Sequence, residues 1–189
     1  MDLVSRYWKT EHRIFDILNA SLNLKPRPAT MAMKRTGARN ITAVEVGVFY
    51  GENARSILRT LDIDHLYLID PYEDYTCAGV TVKMDGIERA AKKRLKPWEK
   101  KITWIKKYSH DAVYDIPKAD FIYLDANHDY EYISKDLPRY YNRMKQGGIF
   151  GGHDMKVFHM GTIQAVIEFA DEYHLKLQAE PDDWYVEIP

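Results

Sequence analysis

From Ile41 onward, short apolar runs alternate with amphipathic stretches, and this restricts the fold more than any other property of the chain. Residues 41–48, 65–69, 102–107, 121–124 and 149–152 have the length and composition of strands. Between and after them, residues 53–61, 86–95, 131–144 and 162–173 carry helical periodicity; the last puts Ile163, Val166, Ile167 and Ala170 on one face. Pro97 closes the second of these helices, and Pro138 is expected to start a new turn in the third or to kink it. Residues 72–83 read as a loop, and Gly147-Gly148 as a break before the fifth strand. Strands alternating with helices require an α/β domain with a mainly parallel sheet. The last two strands, 175–178 and 184–188, have a connector too short for a helical crossover and are expected to pair antiparallel.

In open sheets of this kind a ligand sits at the carboxyl ends of the strands. Those ends are Gly47–Gly51, Asp70, Ser109, Asp125 and His153-Asp154. The first is the most informative. Val44 to Asn53 reads as an apolar strand, a glycine turn and a helix start, with Glu45 two residues before Gly47 and Gly-x-x-x-Gly spacing. Such a turn aims helix N–H groups at one spot. The spacing is not the Gly-x-Gly-x-x-Gly of dinucleotide enzymes. Asp70 follows about twenty residues later, where an acid takes the hydroxyls of a ribose, or caps the turn ahead of Pro71. Unpaired acids are costly to bury, so acids gathered on one sheet edge point to a bound partner.

The length of 189 residues fits one globular domain. A net charge of −1 and a pI near 6.7 supply no basic field for nucleic acid, and Lys92-Lys93-Arg94 reads as a solvated helix face. Cys77 has no second cysteine to pair with, and there is neither an apolar run long enough to span a membrane nor a signal-peptide core. A cytoplasmic location is the expectation. Residues 5–22 read as an amphipathic helix carrying Tyr7, Trp8, Ile14, Phe15, Leu18 and Leu22, stopped by Pro26 and Pro28, with a basic connector over 29–40. The chain thus divides into 1–40, a helix with a lid or connector, and 41–189, the α/β domain. The aromatic helix suits its own cleft, the flank of the sheet, or a second copy, which leaves a homodimer open.

Four segments carry a resemblance: Glu45-Val46-Gly47-Val48-Phe49-Tyr50-Gly51; Leu68-Ile69-Asp70; Tyr123-Leu124-Asp125-Ala126-Asn127-His128-Asp129-Tyr130; and Gly147-Gly148-Ile149-Phe150-Gly151-Gly152-His153-Asp154. Together they resemble the class I S-adenosylmethionine-dependent methyltransferases, and within them the small-molecule branch that includes macrocin O-methyltransferase. In that branch the fourth strand ends in Asp-Gly-x-His-x-Tyr, and the fifth follows a Gly-Gly turn and ends in His-Asp or Asp-Asp. Ala126 stands where glycine is common, and Asp183-Trp184-Tyr185 also fits. The resemblance covers residues 41–188. It implies a single Rossmann-like domain with a seven-stranded, mainly parallel sheet in the order 3-2-1-4-5-7-6, the last strand antiparallel and helices on both faces. It implies S-adenosylmethionine as cofactor, with Glu45, Gly47, Tyr50 and Gly51 under its methionine part. Asp70 would hold the ribose, Tyr72 lie beside the adenosine, and Ser109 and His110 meet the adenine edge; Asp125 reads as a partner of the cofactor's amino group or of the loop backbone.

The implied reaction places a small-molecule acceptor in line with the sulfonium methyl. His128, assisted by Asp125, is the candidate catalytic pair. An imidazole of ordinary pKa near 6.5 lies a few units from a phenol near 10, so it can deprotonate one; a sugar hydroxyl needs concerted removal. A divalent metal on Asp125, His153 and Asp154, or with His128 in place of His153, would serve as a Lewis acid. Two carboxylates suit Mg²⁺, and an added imidazole favours Mn²⁺, Fe²⁺ or Zn²⁺. His153 stands where metal-dependent members of the branch carry a carboxylate, and His153-Asp154 reads equally as a cap on the next helix. His159 and His174 read as surface or packing residues. The rival readings are an NAD-binding oxidoreductase, which the missing dinucleotide motif opposes, and a non-catalytic binder on the same fold.

Overall fold

A computed structural model describes residues 26–77, 80–157, 159–180 and 182–189; the helix expected over 5–22 lies outside them. The first described element is a helix, α1 (Pro28–Arg35), where the sequence reads as a connector. Pro28 opens it at little cost, because a first-turn N–H has no helical partner to lose. Its stripe of Ala29, Thr30, Ala32 and Met33 is buried, while Lys34 and Arg35 gave the segment its polar look.

There follow β1 (Ile41–Val46), α2 (Glu52–Thr60), β2 (Ile63–Ile69), a small hairpin of β3 (Tyr75–Cys77) and β4 (Val80–Val82), α3 (Asp85–Leu95) and a 3-10 helix (Lys96–Lys101). The second half comprises β5 (Ile102–Ile105), α4 (Ser109–Ala112), β6 (Ala119–Leu124), α5 (Tyr130–Tyr141), β7 (Met144–Met155), α6 (Met160–Glu172), β8 (Gln178–Glu180) and β9 (Asp182–Glu187). The hairpin occupies the expected loop over 72–83; its strands of three residues are too short to show a periodicity. Pro138 does not end α5, which continues through Tyr141. β7 starts earlier than expected and runs through Gly147-Gly148. Its pairing with β6 jumps from Met144 to Ile149, so the double glycine is a bulge in the strand.

Seven strands form one sheet in the order β5-β2-β1-β6-β7-β9-β8. β9 is antiparallel to both neighbours and the other pairs are parallel, as the resemblance implies. One apolar core lies between the sheet and α1, α2 and α3; the other lies between the opposite face and α4, α5 and α6. Among the described residues no helix is long and apolar enough to cross a membrane.

Register decides which side chains share a face. Glu45 pairs with Tyr123, Tyr123 with Gly151, and Gly151 with Tyr185, so these four point the same way. That is the face covered by α1. Gly151 lets α1 approach, for a Cβ there would stand 2.7 Å from the Cβ of Ala29. The small pair Ala29–Gly151 therefore seats the start of α1 directly on the sheet.

Candidate functional site

The glycine turn between β1 and α2 is held by its neighbours on both sides. Gly47 has φ +86°, and a Cβ on it would fall 1.8 Å from the carbonyl oxygen of Asp125. Only glycine permits β1 and β6 to exit this close together. Its N–H bonds the carbonyl of Ile69 at 2.8 Å, and the Asp125 N–H bonds that of Val46 at 2.7 Å. Gly51 ends the turn in the left-handed region at φ +74°, as the N-cap of α2. Arg94 of α3 donates to the carbonyl of Tyr50 and forms an ion pair with Glu52 at 2.8 Å, clamping the turn from outside.

Asp70 is buried beneath this turn. Its Oδ2 accepts the N–H groups of Val48 (3.0 Å) and Phe49 (2.9 Å), and its Oδ1 accepts that of Tyr72 (2.8 Å). The Tyr72 hydroxyl donates to the carbonyl of Phe49 at 3.0 Å, and burial pushes that phenol far above its ordinary pKa. Two amides that would face a phosphate in a dinucleotide cradle are thus already bound to a carboxylate, and a phosphate placed there would meet its negative charge. Asp70 at a minimum locks the turn to β2.

Glu45 and Asp125 lie on the face covered by α1. Glu45 is fully buried; its Oε1 accepts from Asn53 Nδ2 at 2.9 Å, while its Oε2 has no hydrogen-bond partner, and neither has Asn53 Oδ1. Burial, reinforced by the charges of Asp125 and Glu52, drives the Glu45 carboxyl well above the usual carboxylate range. Asp125 is likewise raised, first by burial and then by Asp154, with His153, Arg27 and His128 opposing. Two acids with acceptor capacity to spare, beside a turn that admits no side chain, fit a cationic group such as an amino-acid ammonium.

The neighbouring strand ends bring histidines together. His128 Nδ1–H donates to Asp154 Oδ2 at 2.6 Å, while Lys156 Nζ stands 3.0 Å and His159 Nε2 3.4 Å from Asp154 Oδ1. The rings of His128 and His159 lie 4.5 Å apart. Burial works against charge on Asp154, but the bonds from His128 and Lys156 outweigh it and hold its carboxyl far below the ordinary value. In return the Asp154 hydrogen bond raises His128. His159 is lowered, mainly by burial. With Nδ1 committed to Asp154, neutral His128 presents Nε2 as a free base.

The sequence-derived residues therefore divide. Glu45, Gly47, Tyr50, Gly51, Asp70 and Tyr72 belong to the turn and its support. Asp125, His128 and Asp154 gather at the adjoining edge. Ser109 and His110 open α4 one strand end away; the Ser109 carbonyl accepts from Tyr140, and His110 stacks on Tyr108 at 5.9 Å in an exposed position. His153 turns aside, its Nδ1 facing the carbonyl of Asp182 and, at 3.5 Å, Arg27. Among the described residues, metal-binding atoms converge within 4.8 Å in a different set, His128, Asp154 and His159. His159 thus joins the site although its sequence position reads as surface. Sequence reasoning offers no sign of Lys156, and the Tyr123–Asp183–Arg27 chain is hinted at only by the alternation that puts Tyr123 and Asp125 on one face.

A family model described as a methyltransferase domain matches residues 44–155, the span from the middle of β1 to the end of β7. The chain belongs to that methyltransferase family. No curated protein matches it in sequence. Solved structures share its fold at low identity. The O-methyltransferase NovP is 15% identical, covering 84% of this chain and 78% of its own, with a TM-score of 0.64. The O-methyltransferase TomG from Streptomyces achromogenes, solved with SAM, is 14% identical, covering 100% and 91%, with a TM-score of 0.62. An O-methyltransferase from Bacillus cereus in complex with SAH is 13% identical, covering 95% and 90%, with a TM-score of 0.62. The chain is a class I S-adenosylmethionine-dependent methyltransferase by family and by sheet order.

Proposed function

We propose that this methyltransferase transfers a methyl group to a hydroxyl oxygen of a small molecule, with His128 as general base. The observation that carries this reading is the His128–Asp154 hydrogen bond of 2.6 Å. It fixes the tautomer and raises the basicity of an imidazole that stands on the same edge as Asp125 and the glycine turn. The cofactor, when bound, supplies the electrophilic methyl of a sulfonium. Glu45 and Asp125 receive its ammonium, Gly47, Tyr50 and Gly51 shape the floor under its methionine part, and Asp70 and Tyr72 lie toward its ribose and adenosine, with Ser109 and His110 toward the adenine edge. His128 Nε2 orients the acceptor hydroxyl and takes its proton as the oxygen–carbon bond forms. A phenolic hydroxyl matches this base better than a sugar hydroxyl, because its pKa lies only a few units above that of histidine.

The donor set supports a second reading. His128, Asp154 and His159 would hold a divalent ion, and two imidazoles with one carboxylate suit Mn²⁺, Fe²⁺ or Zn²⁺ better than Mg²⁺. Bound there, the ion would polarise the acceptor oxygen. Lys156, already on Asp154, would then have to swing away.

The test is methyl transfer from radiolabelled S-adenosylmethionine to a panel of phenols, catechols and sugars, with and without chelator. Transfer to a phenol that is lost in His128→Ala and persists in chelator supports His128 acting without a metal. Loss in chelator, restored by Mn²⁺, supports the second reading. Transfer unaffected by His128→Ala refutes the role of the histidine.

A further inference from the structure

The geometry points to Arg27 as the group that binds the carboxylate of the cofactor's amino-acid part, so that α1 closes the methionine end of the site. This deepens the methyl-transfer reading and rests on it. An amino-acid ligand brings an anion as well as a cation. Glu45 and Asp125 can take only the cation, and a carboxylate near them needs a countercharge to offset their repulsion.

Arg27 is where such a countercharge is required. It is the N-cap of α1, and the Pro28 that follows it restricts its backbone to an extended conformation. Packing of Ala29 on Gly151 brings the next turn down onto β7. The guanidinium then reaches over the strand ends. Nη1 donates to Asp183 Oδ2 at 3.2 Å and lies 3.5 Å from His153 Nδ1. His153 is paired with Asp183 on β9, and it leaves β7 beside Asp125, since Leu124 and Gly152 are paired one step earlier. Arg27 is also the cation whose charge bears on both Glu45 and Asp125.

The anchoring is built from below. Asp183 is buried; its second oxygen, Oδ1, accepts the hydroxyl of the fully buried Tyr123. Asp183 therefore holds one edge of the guanidinium and leaves donors elsewhere on it, and the Arg27 side chain remains 34% exposed. A planar fork of five donors, anchored at one nitrogen and open at the rest, is suited to a second carboxylate. A lysine in its place would offer charge without the fork.

A double-mutant cycle between Arg27 and the ligand carboxylate tests this. Titration calorimetry would be run on the full chain, wild type, Arg27→Ala and Arg27→Gln, with S-adenosylhomocysteine, its methyl ester and 5′-methylthioadenosine, which lacks the amino-acid carboxylate. The expected result is that both variants lose S-adenosylhomocysteine affinity by on the order of tenfold to a hundredfold, the usual effect of losing a charge-assisted hydrogen bond. Their affinity for the ester and for methylthioadenosine should stay within about twofold, as expected when the missing interaction is the only one changed. Equal losses for all three ligands would show that Arg27 supports the fold alone and overturn the inference. Unchanged S-adenosylhomocysteine affinity in both variants would overturn it as well. A wild-type chain that binds none of the three would instead refute the cofactor site. Arg27→Gln retains a donor for Asp183, so it keeps the experiment decisive if Arg27→Ala does not fold.

Discussion

Replacing Gly47 by alanine should separate two costs that are usually confounded. Gly47 has φ +86°, and its added Cβ would stand 1.8 Å from the Asp125 carbonyl oxygen and 2.4 Å from the carbonyl carbon. The conformation alone costs an L-residue about 1–2 kcal/mol. The contact cannot be relieved by a side-chain rotation, because the obstacle is backbone. The exits of β1 and β6 must part by more than an ångström, and that breaks the hydrogen bond between them, leaving the Asp125 N–H and the Val46 carbonyl unpaired. Each buried group left unpaired costs about 1–3 kcal/mol. The sum, about 3–8 kcal/mol, is a large part of the roughly 5–15 kcal/mol that stabilises a domain. Gly147 supplies the control: its φ is +70°, and a Cβ there would meet nothing within 4 Å. Gly147→Ala should therefore lose only the conformational part, a fall in Tm of roughly 2–8 °C for a domain of this size. Thermal unfolding of both variants by circular dichroism, with S-adenosylhomocysteine binding as second readout, makes the comparison. Equal losses in the two variants would refute the claim that close approach, and not backbone conformation, demands glycine at Gly47.

Three further outcomes are expected. With neutral His128 as the proposed base and Asp154 raising its pKa, the acidic limb of kcat/KM should lie above the ordinary histidine value and move down in Asp154→Asn; a limb that stays in place would separate Asp154 from the base. Asp70→Asn should lower the Tm, because an amide cannot accept all three N–H groups now bound, and wild type should prefer adenosine over 2′-deoxyadenosine more than the variant does if Asp70 also meets the ribose; an identical preference in both would confine Asp70 to the turn. Burial favours the protonated form of Glu45, and an arriving ammonium favours the carboxylate, so cofactor binding should release a proton over the pH range in which Glu45 titrates. Calorimetric enthalpies would then vary with the ionisation heat of the buffer, and Glu45→Gln should diminish that dependence; no difference between the two proteins would rule Glu45 out as the ammonium site.

The alternation of strands and helices, the row of strand ends, and the glycine turn with its acid are legible in the residues alone. These are set over a few residues, by side-chain period and by the backbone freedom of glycine, and neighbouring positions suffice to read them. Helix α1 is not legible because its buried stripe is small and Lys34 and Arg35 dominate its composition, and the early part of β7 is not because a double glycine reads as a break without its partner strand. Which strand-end groups meet depends on contacts between distant segments. Asp70 spends its oxygens on the turn, His153 faces Asp182, and His159 reaches Asp154 from the start of α6. Arg27 reaches Asp183 across 156 residues of chain. Such pairings depend on register between strands and on how closely Ala29 can lie on Gly151, and a one-residue slip of any strand would turn its side chains to the opposite face.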